Sequence, residues 1–157
     1  MSGKKPRPFT RREEKLGSAV IRVMSRLNTW IYRVSGGRLL GRFPGGAPVL
    51  LLTTVGRRSG RLQTAPLLYL QEGDNYVVVA SKGGMTHNPL WFKNLEANPQ
   101  VDMEVGSRTM RATARRASKD EKAALWPKLV ALYPSYADYQ ARTERDIPVV
   151  ILSPAQS

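Results

Sequence analysis

The chain has no cysteine and a single histidine, His87. Without thiols it can form no disulfide, no thiolate nucleophile and no sulfur-ligated metal. One imidazole leaves little for a zinc centre or a serine-type triad, so no metal is expected, and a lone loop histidine reads as solvated. No apolar run approaches the roughly 18 residues that cross a bilayer. The basic N-terminus lacks the apolar core of a secretory signal, and the expected location is cytoplasmic. Acidic residues are also scarce. Twelve Asp+Glu against 25 Lys+Arg leave a net charge of +13. Such a surface attracts nucleic acid, anionic lipid or a polyanionic small molecule, and only the placement of the charge can choose among them.

What is present fits one globular domain: 157 residues, 41% of them hydrophobic. Met1 to Phe9 carry basic residues and two prolines, which predicts a disordered arm. "TRRE" at Thr10–Glu13 then reads as a capping box. Leu16, Val20, Val23, Met24, Leu27, Ile31 and Val34 follow at helical spacing, with Gly36-Gly37 as the stop. Arg22, Arg26 and Arg33 fall mostly off that stripe. The helix either packs its stripe on the body or lies peripherally on an anionic membrane. The expected division is a basic arm and amphipathic helix over 1–36 and a barrel domain over 37–157.

Beyond the glycine-rich loop of 36–48, short β-rich runs alternate with turn signals. Val49–Thr54 reads as a strand buried on both faces, and Leu62–Leu70 as one whose Pro66 sits at an edge or bulge. Tyr76–Ala80, Val101–Val105, Thr109–Arg115 and Ile147–Leu152 complete about six strands. Asn88 and Pro89 open a short helix to Ala97; Ser118 and Glu121 cap another through Leu132, interrupted by Pro127. The three tryptophans, Trp30, Trp91 and Trp126, read as core. The fold expected is mainly β within an α+β class, a small barrel with flanking helices.

Three stretches could carry chemistry. In "VGRRSGRL" a glycine-bounded turn holds Arg57, Arg58, Ser59, Gly60 and Arg61, whose guanidinium forks and backbone amides suit an anion. Taken alone, a basic hairpin tip is usually only solvated. In "ASKGGMTHNPLW" Ser81, Lys82, Gly83 and Gly84 precede a helix start, which favours an anion, and the glycines let a flat ring approach the backbone. A glycine loop needed only for its turn is the plainer reading. In "ALYPSYADYQ" Tyr133, Tyr136 and Tyr139 recur every third residue and could form a phenolic wall or simply pack on the barrel.

The ordered set "LLLTTVGRRSGRLQTAPLLYL", "VVVASKGGMTHNPLWFKNLEANPQV" and "LWPKLVALYPSYADYQARTERDIPVVIL" closely resembles the deazaflavin-dependent nitroreductase family. The resemblance runs from about Val20 to Pro154 and includes "MSRLNTWIYR". It implies a split β-barrel related to flavin-binding oxidoreductases and the coenzyme F420 (an 8-hydroxy-5-deazaflavin) in place of FMN. It implies hydride transfer to a quinone, an activated alkene or a nitro compound. It places Arg57, Arg58, Ser59, Gly60, Arg61 and Lys82 on the coenzyme's phosphate and oligoglutamate tail, and Ser81, Gly83 and Pro66 beside its ring. Tyr133, Tyr136, Tyr139 and Leu68 fall at the substrate, with Tyr133, Tyr136 and Ser81 as proton sources. Two positions depart from the pattern: Gln63 stands for an arginine and Leu68 for a pocket tyrosine, and Tyr69 next door faces the other way. The polyanionic tail gives the positive charge a partner, so no nucleic acid is expected. The competing readings are an FMN oxidoreductase on the same barrel and a non-enzymatic basic module for membrane or nucleic acid.

Overall fold

The computed structural model describes residues 6–42 and 46–155. Seven strands form one antiparallel sheet: β1 (Val49–Val55), β2 (Leu62–Leu68), β3 (Leu70–Glu72), β4 (Asn75–Val79), β5 (Gln100–Val105), β6 (Arg108–Arg116) and β7 (Val149–Pro154). Their order is β2-β1-β5-β6-β7-β4-β3, and the sheet curls into a half-barrel that brings β2 towards β4. One strand more is present than the sequence predicts, because the run from Leu62 breaks at Tyr69. The ladder between β2 and β1 ends where Leu68 meets Val49, the first residue of β1. Beyond it the chain crosses to the opposite edge, where β3 pairs with β4. Pro66 lies on the edge strand β2, where its missing N–H leaves no hole in a central ladder.

Alternation along the strands divides the apolar residues between two layers. Leu50, Leu52, Val78, Met103, Val150 and Leu152 face the inside of the curl, which α2 (Leu90–Ala97) plugs with Trp91, Phe92 and Leu95. Val77, Val79, Val149 and Ile151 face outward beneath α3 (Lys119–Leu132) and α4 (Ser135–Arg142), against Leu125, Leu129 and Tyr136. The capping box of α3 forms as its sequence predicts. The cap expected at Asn88 does not: Pro89 is the N-cap of α2, and the Asn88 Oδ1 accepts a hydrogen bond from Arg145 instead.

The first helix, α1 (Arg11–Val34), has its predicted capping box, and Gly36 and Gly37 end it with positive φ. A side chain on Gly37 would place its Cβ 2.6 Å from the Gly106 backbone, so the turn admits only glycine. Residues 1–5 of the expected disordered arm lie outside the described residues. The part that follows is tied down: Arg7 forks onto Glu13 at 2.6 and 3.0 Å, and the Arg142 guanidinium lies 4.5 Å from the Phe9 ring.

The apolar stripe of α1 does not pack on the body. Leu16 is 70% exposed, Val23 69% and Trp30 63%, so Trp30 is no core residue. The face turned to the body carries Glu14, Thr29 and Tyr32, which are buried, because the helix crosses a cleft and not an apolar surface. Two clips hold it. At one end the Glu14 carboxylate accepts from the Thr86 amide at 2.7 Å and the Thr86 hydroxyl at 2.9 Å. At the other, the Tyr32 hydroxyl donates to the Val49 carbonyl at 3.2 Å and accepts from the Gly106 amide at 2.7 Å.

Tyr32→Phe keeps the ring and removes the acceptor for the Gly106 amide. Leaving that group unpaired should cost about 1–3 kcal/mol in a denaturant titration. An unchanged midpoint would remove this phenol from the anchors of α1.

Candidate active-site cleft

An open cleft of about 990 Å³ lies between α1, β2, the turn at Lys82–Gly84, the start of α2 and the tyrosines that follow α3. Its β2 wall is an edge strand, hydrogen-bonded only to β1, so the backbone groups on its other side face away from the sheet. Pro66 and Leu68 stand on this wall, and Ser81, Lys82 and Gly83 on the wall beside it. Tyr133, Tyr136 and Tyr139 close one end. Tyr69 is not part of the lining; its ring packs 5.3 Å from that of Tyr76.

Arg57, Arg58, Ser59, Gly60 and Arg61 are not in the lining either. They form an exposed turn leading into Leu62 and Gln63, which do line the cleft. The expectation that the turn's amides converge on an anion is not met for four of them. Gly56 N–H donates to the Arg61 carbonyl, Gly60 N–H to the Gly56 carbonyl, and Arg61 N–H to the Ser59 hydroxyl. Arg57 N–H donates to the Asn94 Oδ1 at 3.1 Å. The turn thus commits most of its amides to itself and to Asn94, and the larger part of what it offers outward is guanidinium charge.

Asn94 is a positioning residue that the sequence reading missed. It is buried on α2, and its Nδ2 donates to Thr54 Oγ1 at 3.1 Å and Gln63 Oε1 at 2.8 Å. One carboxamide therefore fixes both the root of the arginine turn and the cleft residue Gln63. The signal available was a polar side chain three residues after Trp91 on the apolar face of a short helix.

The loop after β4 is held by a second missed residue. Arg145 donates to the carbonyls of Met85 at 2.7 Å, Ala80 at 3.2 Å and Ser81 at 2.6 Å, and to Asn88 Oδ1 at 2.8 Å. All four acceptors are neutral, and burial holds the guanidinium below its ordinary pKa against the opposing pull of Glu14. Within the loop Lys82 takes a left-handed φ of 43°, strained for a residue with a Cβ. Burial, then the neighbouring Lys93, Arg145 and Arg22, hold the Lys82 ammonium below its ordinary pKa, against the opposing pull of Glu14. A Cβ on Gly83 would meet nothing within 4 Å, so the space before it is open, whereas one on Gly84 would come within 2.6 Å of the Tyr139 carbonyl. Gly84 serves the packing of the loop on α4, and Gly83 leaves a bare backbone at the cleft.

The three tyrosines contact one another. The Tyr133 and Tyr139 hydroxyls are 3.1 Å apart, and the Tyr133 ring meets the Tyr136 ring edge-on at 5.0 Å. Burial, then the other two phenols, raises Tyr136 well above its ordinary pKa. Burial, then the bond with Tyr133, raises Tyr139 in the same direction. Tyr136 and Tyr139 are therefore neutral at physiological pH. His87 is exposed and outside the lining, with its Nε2 3.8 Å from Glu14 Oε2. Chemically the cleft offers a phenolic end, an apolar stretch over an open backbone, and a cationic mouth. That arrangement suits a flat ring carrying an anionic chain.

Residues 24–154 match the model of the F420H(2)-dependent quinone reductase family. The chain is 41% identical over 131 residues to an F420H(2)-dependent quinone reductase of Mycobacterium tuberculosis (strain H37Rv), covering 82% of this chain and 88% of that protein. Among solved structures it is similar to an F420-H2-dependent reductase (FDR-A) at 40% identity, with a TM-score of 0.63 over 68% of this chain and 94% of that one. A FAD-binding protein of Mesorhizobium loti is 14% identical, with a TM-score of 0.50 over 69% of this chain and 79% of that one, and shares the fold alone.

Arg145→Ala should release the loop at 80–88. Amide exchange there should accelerate while the amides of α3 keep their protection. Unchanged exchange at 81–88 would show that the loop holds its shape without the guanidinium.

Proposed function

The chain belongs to the F420H(2)-dependent quinone reductase family, and on that footing we propose that the cleft seats the reduced deazaflavin coenzyme and reduces a quinone against it. What carries the reading is one continuous cleft that joins an open backbone at Gly83 to a mouth lined with cations. The residues present fit the coenzyme. A flat ring has room over Gly83 between Pro66 and Ser81, and the anionic tail meets Lys82 and then Arg57, Arg58 and Arg61 at the turn, where Ser59 and Gly60 set the backbone. No fixed side chain is needed as nucleophile.

When bound, the reduced coenzyme supplies the hydride. The chain positions its acceptor and excludes water: Tyr133, Tyr136, Tyr139 and Leu68 close over the ring end. A proton must reach the reduced product at oxygen. Tyr133 and Tyr136 bring phenolic O–H groups to that end, and Ser81 a hydroxyl on the ring wall. Activated alkenes and nitro compounds are further acceptors of the same chemical kind, electron-poor and flat. The loss of a pocket phenol at Leu68 leaves that side of the cleft apolar, which suits a quinone carrying an aliphatic chain.

A second reading rests on the outer face of α1. Leu16, Val20, Val23, Leu27, Trp30 and Val34 point away from the body, and exposed Arg12 and Lys15 accompany them near the start of the helix. Among the described residues no helix is long and apolar enough to cross a membrane. An exposed apolar stripe flanked by cations is instead the pattern of a helix lying in an anionic bilayer surface. A lipid-soluble quinone would then be drawn from the surface on which the protein rests.

Mixing the protein with reduced coenzyme and menadione should return the visible colour of the oxidised coenzyme. Absence of turnover, or tighter binding of FMN than of the deazaflavin, would overturn the reading. Arg57→Ala with Arg58→Ala should weaken coenzyme binding by more than the roughly 1 kcal/mol of a surface ion pair. Unchanged affinity would take the turn out of the site. For the membrane reading, serine at Leu16, Val20, Val23 and Leu27 should abolish co-sedimentation with phosphatidylglycerol vesicles. Equal sedimentation of both forms would reject it, as would a dimer lost in the variant with no vesicle binding by either.

A further inference from the structure

We infer that Arg22 and Arg26, on the inner edge of α1, form a second wall of the anion site, so that the coenzyme's tail bridges the helix to the body. This rests on the coenzyme reading above. Ser18, Arg22, Ser25, Arg26 and Thr29 recur at spacings of three and four, share one helix face and line the cleft. They share that lining with Leu62, Gln63 and Lys82, and Leu62 follows directly on the arginine turn.

Both arginines are exposed and form no ion pair among the described residues; Arg22 Nε reaches only the Ser18 carbonyl, at 3.4 Å. Arg22 is also close enough to contribute to the depression of Lys82, together with Lys93 and Arg145. Lys82 thus has three cations acting on it, Arg22 from α1 and Lys93 and Arg145 from the body, and Glu14 is the one acid that does. A cluster of like charges persists at a cost that a polyanion removes. A second observation points the same way. Thr29 Oγ1, on the same face, is buried and has no hydrogen-bond partner. A buried hydroxyl left unpaired beside a cationic cleft suits an oxygen-rich ligand.

The outer stripe, with Arg12 and Lys15, belongs to the bilayer in the reading above; Arg22 and Arg26 face the other way, into the cleft. Their ligand is therefore the phosphate and carboxylates of the coenzyme, although lipid phosphate shares that chemistry. Between its two clips α1 meets the body mainly through polar side chains over open space. A bound tail would fasten this span, and by linkage a fastened helix binds the tail more tightly.

The test is a fluorescence titration of the complete coenzyme and of its riboside, which lacks phosphate and glutamates, into the wild-type protein, Arg22→Ala/Arg26→Ala and Arg22→Lys/Arg26→Lys. The alanine pair should lose about tenfold or more in affinity for the complete coenzyme and nothing for the riboside, and the lysine pair should recover most of the loss. In the wild type the complete coenzyme should slow amide exchange over residues 18–29, and in the alanine pair it should not. Equal affinity of wild type and alanine pair for the complete coenzyme overturns the inference and leaves the coenzyme reading standing. An equal loss for both ligands overturns it too, since that marks a displaced helix. A wild-type protein that binds neither ligand overturns both. Loss of phosphatidylglycerol vesicle binding by the alanine pair, at unchanged coenzyme affinity, would give the two arginines to lipid headgroups.

Discussion

The free edge of β2 is the constraint around which the rest of the molecule is arranged. A strand with a neighbour on one side only exposes backbone groups that invite another strand. Here that edge is interrupted by Pro66 and bridged by α1, which crosses without pairing to it. The space between helix and edge is the cleft. Because α1 must span it, the helix turns small and polar residues inward and has nowhere to bury its apolar stripe. The exposed stripe is thus a consequence of the site and not a defect in packing.

The second organising element is the distribution of positive charge. Of the cations near the cleft, Arg33 is neutralised by Glu104 at 2.9 Å, and Arg145 is spent on four neutral acceptors. Lys93 and Arg22 remain close enough to Lys82 to disfavour its charge. Arg57, Arg58 and Arg61 extend the same field outward on a turn that has committed four of its amides to itself and to Asn94. Positive charge is in excess here, with Glu14 the one acid acting on Lys82, and the phenolic end of the cleft carries the neutral hydroxyls of Tyr136 and Tyr139. The two ends therefore favour chemically different parts of one ligand pair.

Much of this was legible in the sequence because it is locally encoded. The two capping boxes, the strand periods and the hairpin at Gly106 depend on residues a few positions apart, and each stands where the pattern puts it. Pro66, Leu68, Ser81, Lys82, Gly83 and the three tyrosines do share one cleft. What the sequence concealed depends on distance along the chain. Tyr69 breaks a strand because β1 ends opposite it. Asn88 gives up its cap because Arg145 takes its oxygen. The outward turn of the α1 stripe follows from what lies beneath the helix, and periodicity shows only that a stripe exists. Trp30 read as core for the same reason: a large apolar residue on an amphipathic helix is core only where the body offers an apolar surface.

The guanidinium of Arg145 has one more consequence. Its acceptors lie between residues 80 and 88, some sixty positions earlier in translation, and no other side chain makes all four bonds. On the ribosome, the carbonyls of Ala80, Ser81 and Met85 keep water as their partner in place of Arg145 until that residue is made. The loop gains these four bonds only when a residue near the far terminus emerges, just ahead of β7, the strand that joins β6 to β4, so the loop's clamp and the sheet's closure arrive together.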